Sequence, residues 1–271
     1  MMSDYDTLIL SDLHLGSEVS RATDALRLLQ SRRYRQLVLL GDIFSDLNFR
    51  RLKGEHWQFL SAIRKLSNPR RRTKVVWVEG NHDHGLSNIM SHLVGVPVYQ
   101  RYVWEYAGVR HMAVHGHQFD RFVSKNYLIS RVGEQIYYQL QKIDSRHKVV
   151  TRHLDKFNTR WLRLTDKVAR GAIHDARAGK VQRVFCGHTH VATQRHEDGI
   201  SYYNSGSWVG DSATYITIGE EGVTIHEYDA DSRGAHHRYP REERIPLSAE
   251  TADLFEPAGL HTYTGYESLR C

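Results

Sequence analysis

The sequence predicts a layered α/β protein, and two observations predict it. Short apolar runs alternate with amphipathic stretches through the first third of the 271-residue chain, and a polar cluster directly follows several of these runs. Strands that alternate with helices in this way form βαβ units and a layered core. The composition, with 40% hydrophobic and 25% charged residues, is typical of a globular protein. The length suits one large domain, or one domain that carries an inserted subdomain.

The first third of the chain predicts three strands and two helices. Apolar runs predict buried strands at 7–10, 37–40 and 75–78. The helical spacing of apolar residues predicts one helix over 22–29 and a second around 57–63. We expect these elements to form the βαβ part of the core.

Beyond residue 100 the pattern changes. Two strand-like stretches, 102–106 and 109–114, flank Ala107-Gly108 and predict a hairpin. A long helical region is predicted from about 122 to 178, followed by a strand at 181–186. Short strands separated by turn residues then predict meander pairing, at 191–195, 200–204, 214–218 and 223–228.

The C-terminal segment 229–271 differs from the rest of the chain. It is polar, contains three of the five prolines and has no clear period. We expect an irregular or partly disordered tail.

Signals of secretion or membrane insertion are missing from the sequence. No stretch reaches the ~18 consecutive apolar residues of a membrane span. Residues 1–10 lack the basic and apolar regions of a signal peptide. Two cysteines do not make a disulfide framework. We therefore expect a cytoplasmic protein, and peripheral contact with the inner membrane surface stays open.

Five polar clusters carry the chemistry. Each begins just after an apolar run, where a predicted strand ends. In open α/β sheets, binding sites assemble at the carboxyl ends of the strands. Any one cluster could be a turn with solvated side chains, but five in succession favour a single site. The clusters are Asp12-Leu13-His14, Gly41-Asp42, Gly80-Asn81-His82-Asp83, His115-Gly116-His117 and Gly187-His188-Thr189-His190.

The spacing within the clusters also favours convergence. Asp12 and His14 are two residues apart, as are His188 and His190. Side chains at i and i+2 of an extended chain point to the same side, so each pair can present two ligands to one site. The glycines that precede three of the candidate ligands permit a sharp turn out of the strand.

The ligand types indicate a class of metal. Asp, His and Asn without a cysteine thiolate suit Mn, Fe, Zn or a similar ion, and not a structural zinc or an iron–sulfur cluster. Two such ions about 3.5–4 Å apart can hold the attacking and the leaving oxygen of a phosphoryl displacement. A metal pair of this kind needs a bridging carboxylate, and Asp42 is the natural candidate.

Taken in this order, the five clusters resemble those of the calcineurin-like metallophosphoesterases. The resemblance covers about residues 6–228. It implies a four-layer αββα sandwich with a helical insertion. The implied organisation is a core of residues 1–117 and 181–228, a basic helical insertion at 118–180 and a polar tail at 229–271.

The resemblance also implies a role for each candidate residue. One metal would be held by Asp12, His14, Asp42 and His190. The second would be held by Asp42, Asn81, His115 and His188, so that Asp42 is shared. A metal-bridging hydroxide would attack phosphorus in line.

His82 is implied to be catalytic and not to bind metal. It would act as the acid for the leaving oxygen, or as a charge stabiliser that faces the phosphate. Either Asp83 or Asp46 would orient it, and Asp83 is the catalytic partner that we predict.

Within the family, the sequence is most similar to the UDP-2,3-diacylglucosamine hydrolase group of lipid A synthesis. Segments 11–16, 115–120 and 204–209 carry this similarity. The chain departs from the best-known members at His82, where they have Arg, and at His117, where they have Asp. A paralogue that acts on another phosphodiester or pyrophosphate therefore stays open.

The predicted insertion concentrates the basic charge. Residues 118–180 include 14 Lys and Arg against 6 Asp and Glu, a net charge of +8, while the whole chain has +6. Apolar residues within 128–143 and 157–168 recur at helical spacing. These stripes could pack on each other or on the core. The alternative is a basic cap beside the metals that holds acyl chains and anionic groups, or contacts an anionic membrane.

Three functions are compatible with the sequence. The first is hydrolysis of a phosphoester or pyrophosphate, such as a nucleotide-linked lipid precursor. The second is a phosphodiesterase for cyclic nucleotides or nucleic acid, whose backbone the basic helices could follow. The third is a metal-binding scaffold without activity. Because all seven implied ligands are present, we expect a metal-dependent phosphohydrolase with two divalent ions, Mn before Fe, Zn or Mg.

Overall fold

The computed structural model describes residues 5–46, 48–71, 73–83, 85, 91, 95–120, 154–229 and 236–237. Within these residues the chain forms two β-sheets and three α-helices. The helices are α1 (Ala22–Ser31), α2 (Gly54–Leu66) and α3 (Leu154–Ala178). Two short 3-10 turns occur at Phe49–Arg51 and His117–Phe119.

The first sheet has seven strands in the order β12-β11-β10-β1-β2-β3-β4. Strands β1 to β4 run parallel, and β10 joins β1 in antiparallel orientation. The strands are β1 (Tyr5–Leu10), β2 (Tyr34–Leu40), β3 (Lys74–Val78), β4 (Val98–Tyr99), β10 (Thr214–Gly219), β11 (Gly222–Glu227) and β12 (His236–His237).

The second sheet has five strands in the order β5-β6-β7-β9-β8. Its central strands β6, β7 and β9 run parallel, and an antiparallel strand pairs at each edge. The strands are β5 (Tyr102–Tyr106), β6 (Val109–Ala113), β7 (Arg183–Cys186), β8 (Thr193–Glu197) and β9 (Ile200–Asn204).

Side-chain alternation along the strands produces four layers. In β1, Leu8 and Leu10 belong to the core cluster that includes α1 and α2, whereas Ile9 belongs to the cluster between the two sheets. On the outer side of the second sheet, Ala172 and Ile173 of α3 pack in a third cluster. The order is helix, sheet, sheet, helix, so the predicted αββα sandwich is confirmed.

The structure describes only part of the segment expected to be an insertion. Val168, at the end of the predicted stripe within 157–168, is buried, and Ala172 and Ile173 just beyond it pack on the second sheet, which favours packing on the core for this end of the stripe. Residues 121–153, where the rest of the basic helical cap was expected, lie outside the described residues. Most of the tail lies outside them as well, apart from β12, which pairs with β11.

The predicted strands, the hairpin and the first two helices are confirmed to within a few residues. The predicted meander pairing holds for β8 with β9 and for β10 with β11, but it is wrong for β9 with β10. Strands β8 and β9 pair in the second sheet, but β10 and β11 pair in the first. Residues 205–213 cross between the sheets, and the backbone N–H of Trp208 donates to the carbonyl oxygen of Asp12 on the way. Period-2 spacing identifies strands but not the sheet that each one joins.

None of the described helices is long and apolar enough to span a membrane.

His111 of β6 is buried among aromatic rings. Its ring stacks on those of Trp104 and Phe185, with centroid distances of 5.1 and 5.8 Å. Its Nδ1–H donates a hydrogen bond of 2.8 Å to the carbonyl oxygen of Val109. Burial, together with the charge of Arg183 on the neighbouring strand, lowers the pKa of His111 from 6.5 to about 4. The folded protein therefore keeps this ring neutral in mildly acidic solution.

We predict that His111→Phe reduces the loss of stability on acidification. As the pH falls from 6.5 to about 4, the unfolded chain binds a proton at His111 that the folded chain refuses, so wild-type stability falls through this window. The contribution is at most about 3 kcal/mol. Urea unfolding at several pH values should give a flatter profile for the variant. The exposed His174 provides a control, because His174→Gln should leave the profile unchanged. Parallel profiles for His111→Phe and wild type would contradict the assignment.

Candidate metal centre

The five polar clusters lie at one edge of the sandwich. Three of them follow β1, β2 and β3 of the first sheet, and two follow β6 and β7 of the second. Because these strands are parallel within each sheet, their carboxyl ends meet where the two sheets face each other. The predicted convergence is confirmed, and it produces two groups of side chains that could hold metal ions.

The first group consists of Asp12, His14 and His190, whose ligand atoms lie within 4.8 Å of one another. The Nε2 atom of His190 is 3.1 Å from Oδ1 of Asp12 and 3.2 Å from Nε2 of His14. Asp12 and His14 follow the first sheet, whereas His190 follows the second. The group therefore spans the boundary between the sheets.

The second group consists of Asp42, His115 and His188, again within 4.8 Å of one another. The Nε2 atom of His115 lies 3.1 Å from Oδ2 of Asp42. The Nδ1–H of His115 donates to the carbonyl oxygen of Leu40 at 3.0 Å, which leaves Nε2 for a metal. This group also spans the boundary, because Asp42 follows the first sheet and both histidines follow the second.

Each aspartate anchors one oxygen to the backbone and presents the other to its group. Oδ2 of Asp12 accepts the backbone N–H of His188 at 3.1 Å, and Oδ1 lies near His190. Oδ1 of Asp42 accepts the backbone N–H of His82 at 2.8 Å, and Oδ2 lies near His115. Fixing one oxygen holds the carboxylate plane, so the second oxygen keeps its direction without a bound ion.

The electrostatics favour ionised aspartates and a neutral His14. Burial alone would raise the pKa of Asp42, but the charges of His115 and His82 and a hydrogen bond from His115 hold it well below its ordinary value. Burial would lower the pKa of His115, yet Asp42 raises it to about 9. Burial and the nearby His82 lower the pKa of His14 to about 3. A proton on His115 thus occupies the position that suits a cation in this site.

The donor atoms fit divalent ions. Among the described residues, none donates a hydrogen bond to the buried Oδ1 of Asn81, and none bonds to the buried Nε2 of His188. Buried polar atoms normally have partners, and a metal supplies one for each. The carboxylates, imidazoles and this amide are ligands that Mn, Fe or Zn accept. Asn81 lies between Gly80 and His82, which both contact Asp42.

The backbone at the ligands is left-handed. Five residues have φ between 48° and 68°, a backbone region that residues other than glycine rarely adopt: Asp12, His14, Asp42, His188 and His190. The expectation that extended spacing aligns the ligand pairs is therefore wrong. Asp12 and His14 do share a group, but they reach it through a turn. His188 and His190 enter different groups.

The glycines of the clusters act mainly by being small. A Cβ at Gly80 would collide with the backbone and carboxylate of Asp42, and a Cβ at Gly187 would collide with the carboxylate of Asp12. Gly41 has a φ of 79°, as expected for a turn, and its absent Cβ makes room for the ring of His115. Close approach of one loop to another, more than turn geometry, requires glycine at 80 and 187.

The orientation of His82 depends on a group that sequence reasoning missed. Its Nδ1–H donates to the backbone carbonyl oxygen of Ser45 at 2.7 Å. The Nε2 atom then lies 3.9 Å from Oδ2 of Asp42, and the ring packs edge-on against His14, with centroids 5.0 Å apart. His82 therefore faces both groups from one side. A backbone carbonyl leaves no signal in the side-chain pattern, so the sequence could not indicate Ser45.

The two carboxylates expected to orient His82 have other contacts. Both oxygens of Asp83 accept backbone N–H groups, from Ile43 at 3.0 Å and from Phe44 at 2.9 Å. Burial and the charge of Asp42 raise the pKa of Asp83 to about 7. Asp46 forms an ion pair with Arg51. Asp83 thus braces the loop after Asp42, and its catalytic role stays a prediction.

The segment after β9 braces the last histidine cluster. The side-chain amide of Asn204 donates to the carbonyl oxygen of Gly187 at 2.7 Å and to Oγ1 of Thr189 at 3.1 Å. Ser205 shares a 2.7 Å hydrogen bond with Ser11, which connects this segment to the first cluster. Residues 204–209 therefore support the metal centre from the sheet boundary, a role that their sequence similarity did not specify.

Comparison with solved structures gives neighbours of low sequence identity. A single mutant of Vps29 from Entamoeba histolytica is 16% identical, with 88% of this chain and 99% of that chain covered and a TM-score of 0.48. Yfce, a phosphoesterase from E. coli, is 16% identical, with 84% and 95% covered and a TM-score of 0.48. A conserved uncharacterized protein from Streptococcus pneumoniae TIGR4, described as a predicted phosphoesterase, is 16% identical, with 89% and 95% covered and a TM-score of 0.39.

No curated protein matches the sequence. A family model described as the calcineurin-like phosphoesterase superfamily domain matches residues 6–224, which is most of the chain. The two groups of side chains that could hold metal ions lie within this match. The chain therefore belongs to the calcineurin-like phosphoesterase superfamily and is a metal-dependent phosphohydrolase.

Proposed function

We propose that this protein uses two divalent ions to hydrolyse a phosphoester or pyrophosphate bond of a nucleotide-linked lipid precursor, as UDP-2,3-diacylglucosamine hydrolases do. The position of Asp42 carries the proposal. Asp42 belongs to the second group, and it also contacts the first, because its carbonyl oxygen accepts the backbone N–H of His14 at 3.0 Å and its charge opposes the lowering of the pKa of His14. A carboxylate that interacts with both groups suits the shared ligand of a metal pair.

The proposed ligands are the residues of both groups, with Asn81 added to the second group and Asp42 shared by the two ions. Asp12, His14, Asp42 and His190 would hold one ion. Asp42, Asn81, His115 and His188 would hold the other. The mixed oxygen and nitrogen donors, without sulfur, favour Mn, with Fe, Zn or Mg as alternatives. When bound, the ions supply a water acidic enough to give hydroxide near neutral pH, and positive charge for the phosphoryl oxygens.

His82 would donate the proton that the leaving oxygen needs. The bond from Nδ1–H to Ser45 fixes the ring, so Nε2 is the atom that faces the centre. His82 is 6% exposed, so a proton held at Nε2 is shielded from bulk water. The backbone N–H of His82 also donates to Oδ1 of Asp42, which fixes the position of His82 relative to the proposed shared ligand. Donation from Nε2 would neutralise the alkoxide or phosphate as the bond to phosphorus breaks.

The proposed substrate is anionic, and the net charge of +8 in residues 118–180 supports it. Basic residues of the described part of this segment, such as Arg170 and Arg177, are exposed on α3 and paired with acids. Binding of acyl chains and contact with the inner membrane surface would fall to residues 121–153, outside the described residues. Both remain predictions.

A substrate panel with Mn tests the proposed function. We expect release of UMP from UDP-2,3-diacylglucosamine, and little turnover of cyclic nucleotides or DNA. Cleavage of DNA or a cyclic nucleotide in preference would favour the phosphodiesterase alternative. A protein that binds Mn and turns over none of these compounds would be the non-catalytic scaffold, and that outcome would refute the proposal.

We predict that Asp42→Asn lowers occupancy at both metal positions. The substitution keeps the shape of the side chain but removes the negative charge that both ions would share, and kcat should fall at least about 100-fold. Metal analysis by mass spectrometry after dialysis against Mn measures the stoichiometry. Asp46→Asn is a matched control, because Asp46 is a neighbouring carboxylate that pairs with Arg51. Full occupancy in Asp42→Asn would remove it as the shared ligand.

We predict that His82→Ala lowers kcat by about 100- to 10,000-fold, the usual contribution of a general acid. Metal content should stay near that of the wild type, because the variant retains all seven proposed ligands. The loss should be smaller for a substrate whose leaving group needs no proton. His174→Ala, at an exposed position of α3, should leave kcat unchanged. Loss of bound metal in His82→Ala would refute the role of a pure acid.

A further inference from the structure

Asp120 is a buried carboxylate that the proposed site does not use. It is 5% exposed and follows the 3-10 turn His117–Phe119. Its Oδ2 lies 3.6 Å from Nε2 of His188, which is 8% exposed. The other side chain of this turn that reaches the centre is His117, whose ring centroid lies 5.6 Å from that of His115. Asp120 thus adds a charge beside the second group.

The distance between Asp120 and His188 is informative. At 3.6 Å the two atoms are too far apart for a good hydrogen bond. The separation instead places the carboxylate beside the imidazole and outside the group of Asp42, His115 and His188, whose ligand atoms all lie within 4.8 Å of one another. If Nε2 of His188 directs its lone pair at a metal, it and the Asp120 oxygen are two acceptors facing each other. Such a pair is favourable in a buried site when a cation lies beside both.

The two groups also differ in charge. The first has Asp12 as a carboxylate of its own, to which the proposed sharing would add Asp42. The second has only the shared Asp42, because His115, His188 and the amide of Asn81 are neutral as ligands. A buried divalent ion is costly without compensating charge. Asp120 supplies the missing charge on the side of His188.

Helix α3 holds Asp120 in place. A Cβ at Gly171 would collide with the ring of Phe119, so the turn packs directly on the helix backbone. Gly116, with a φ of 113°, turns the chain beside Val168 of the same helix. The backbone N–H of Asp120 then donates to the carbonyl oxygen of His117 at 3.0 Å. The turn and the helix together fix where the carboxylate points.

We propose that Asp120 is the carboxylate that completes the site of the second metal ion from the side of His188, and that its contact with α3 through Phe119 and Gly171 positions it. This inference rests on the proposed function, because it presupposes two ions. It places an eighth residue, a charged one, beside the seven proposed ligands. It also connects α3, a helix of the basic segment 118–180, with the affinity of the metal centre.

Titration of the metal-free full-length protein with Mn tests the inference. The wild type should bind two ions per chain. In Asp120→Asn the first ion should bind with unchanged affinity, whereas the second should bind about 10- to 100-fold more weakly, as for other residues that support a metal. Electron paramagnetic resonance gives a second readout, because the spectrum of a coupled Mn pair should give way to that of an isolated ion. Asp120→Glu keeps the charge and should retain more of the second ion than Asp120→Asn.

Two controls separate this role from a structural one. Asp175→Asn removes a carboxylate of α3 that pairs with Arg101, and it should leave both affinities unchanged. Gly171→Ala pushes on Phe119 without altering a ligand, and it should weaken the second ion selectively. Equal weakening of both ions in Asp120→Asn, or unchanged affinity for the second, would overturn the inference. A wild type that binds one ion or none would instead refute the metal pair, and this inference with it.

Discussion

The structure depends on the burial of two aspartates at the boundary between two sheets. Asp12 is fully buried and Asp42 is 2% exposed, and each raises the energy of the other's charged form. Buried carboxylates of this kind are stable only with cations or protonated partners nearby. The histidines that surround them, and the backbone N–H groups that hold one oxygen of each, meet that requirement. The loops at this edge are therefore arranged around charge compensation.

That requirement explains why so much of the edge departs from regular backbone. The five ligands in left-handed conformation cost free energy, about 1–3 kcal/mol each when strained. The cost is offset by the regular sandwich beneath, in which each sheet buries both faces. Glycines at 80 and 187 let separate loops approach closely enough for their polar groups to meet. The packed core thus holds the loops in the strained conformations that the site needs.

The sequence predicted the strands and the five clusters because both leave local signals, an apolar run followed by polar ligands. Spacing alone could not assign His188 and His190 to different groups, but the division implied by the family resemblance agrees with the two groups that the structure forms. The sequence could not identify Ser45, which acts through its carbonyl oxygen. The sequence favours a carboxylate, Asp83 or Asp46, as the group that orients His82, whereas in the structure the backbone carbonyl oxygen of Ser45 accepts the hydrogen bond from His82. The pairing of β10 with β1 was equally hidden, because it depends on contacts between distant parts of the chain.

Both metal groups take ligands from both sheets. An ion in either group would therefore cross-link the two sheets of the sandwich. Binding energy at such a position adds to the free energy of docking one sheet on the other. Each sheet alone carries only part of either group, so the ability to capture an ion reports that the sandwich has closed. A chain in which the two sheets had not docked would therefore lack both complete groups.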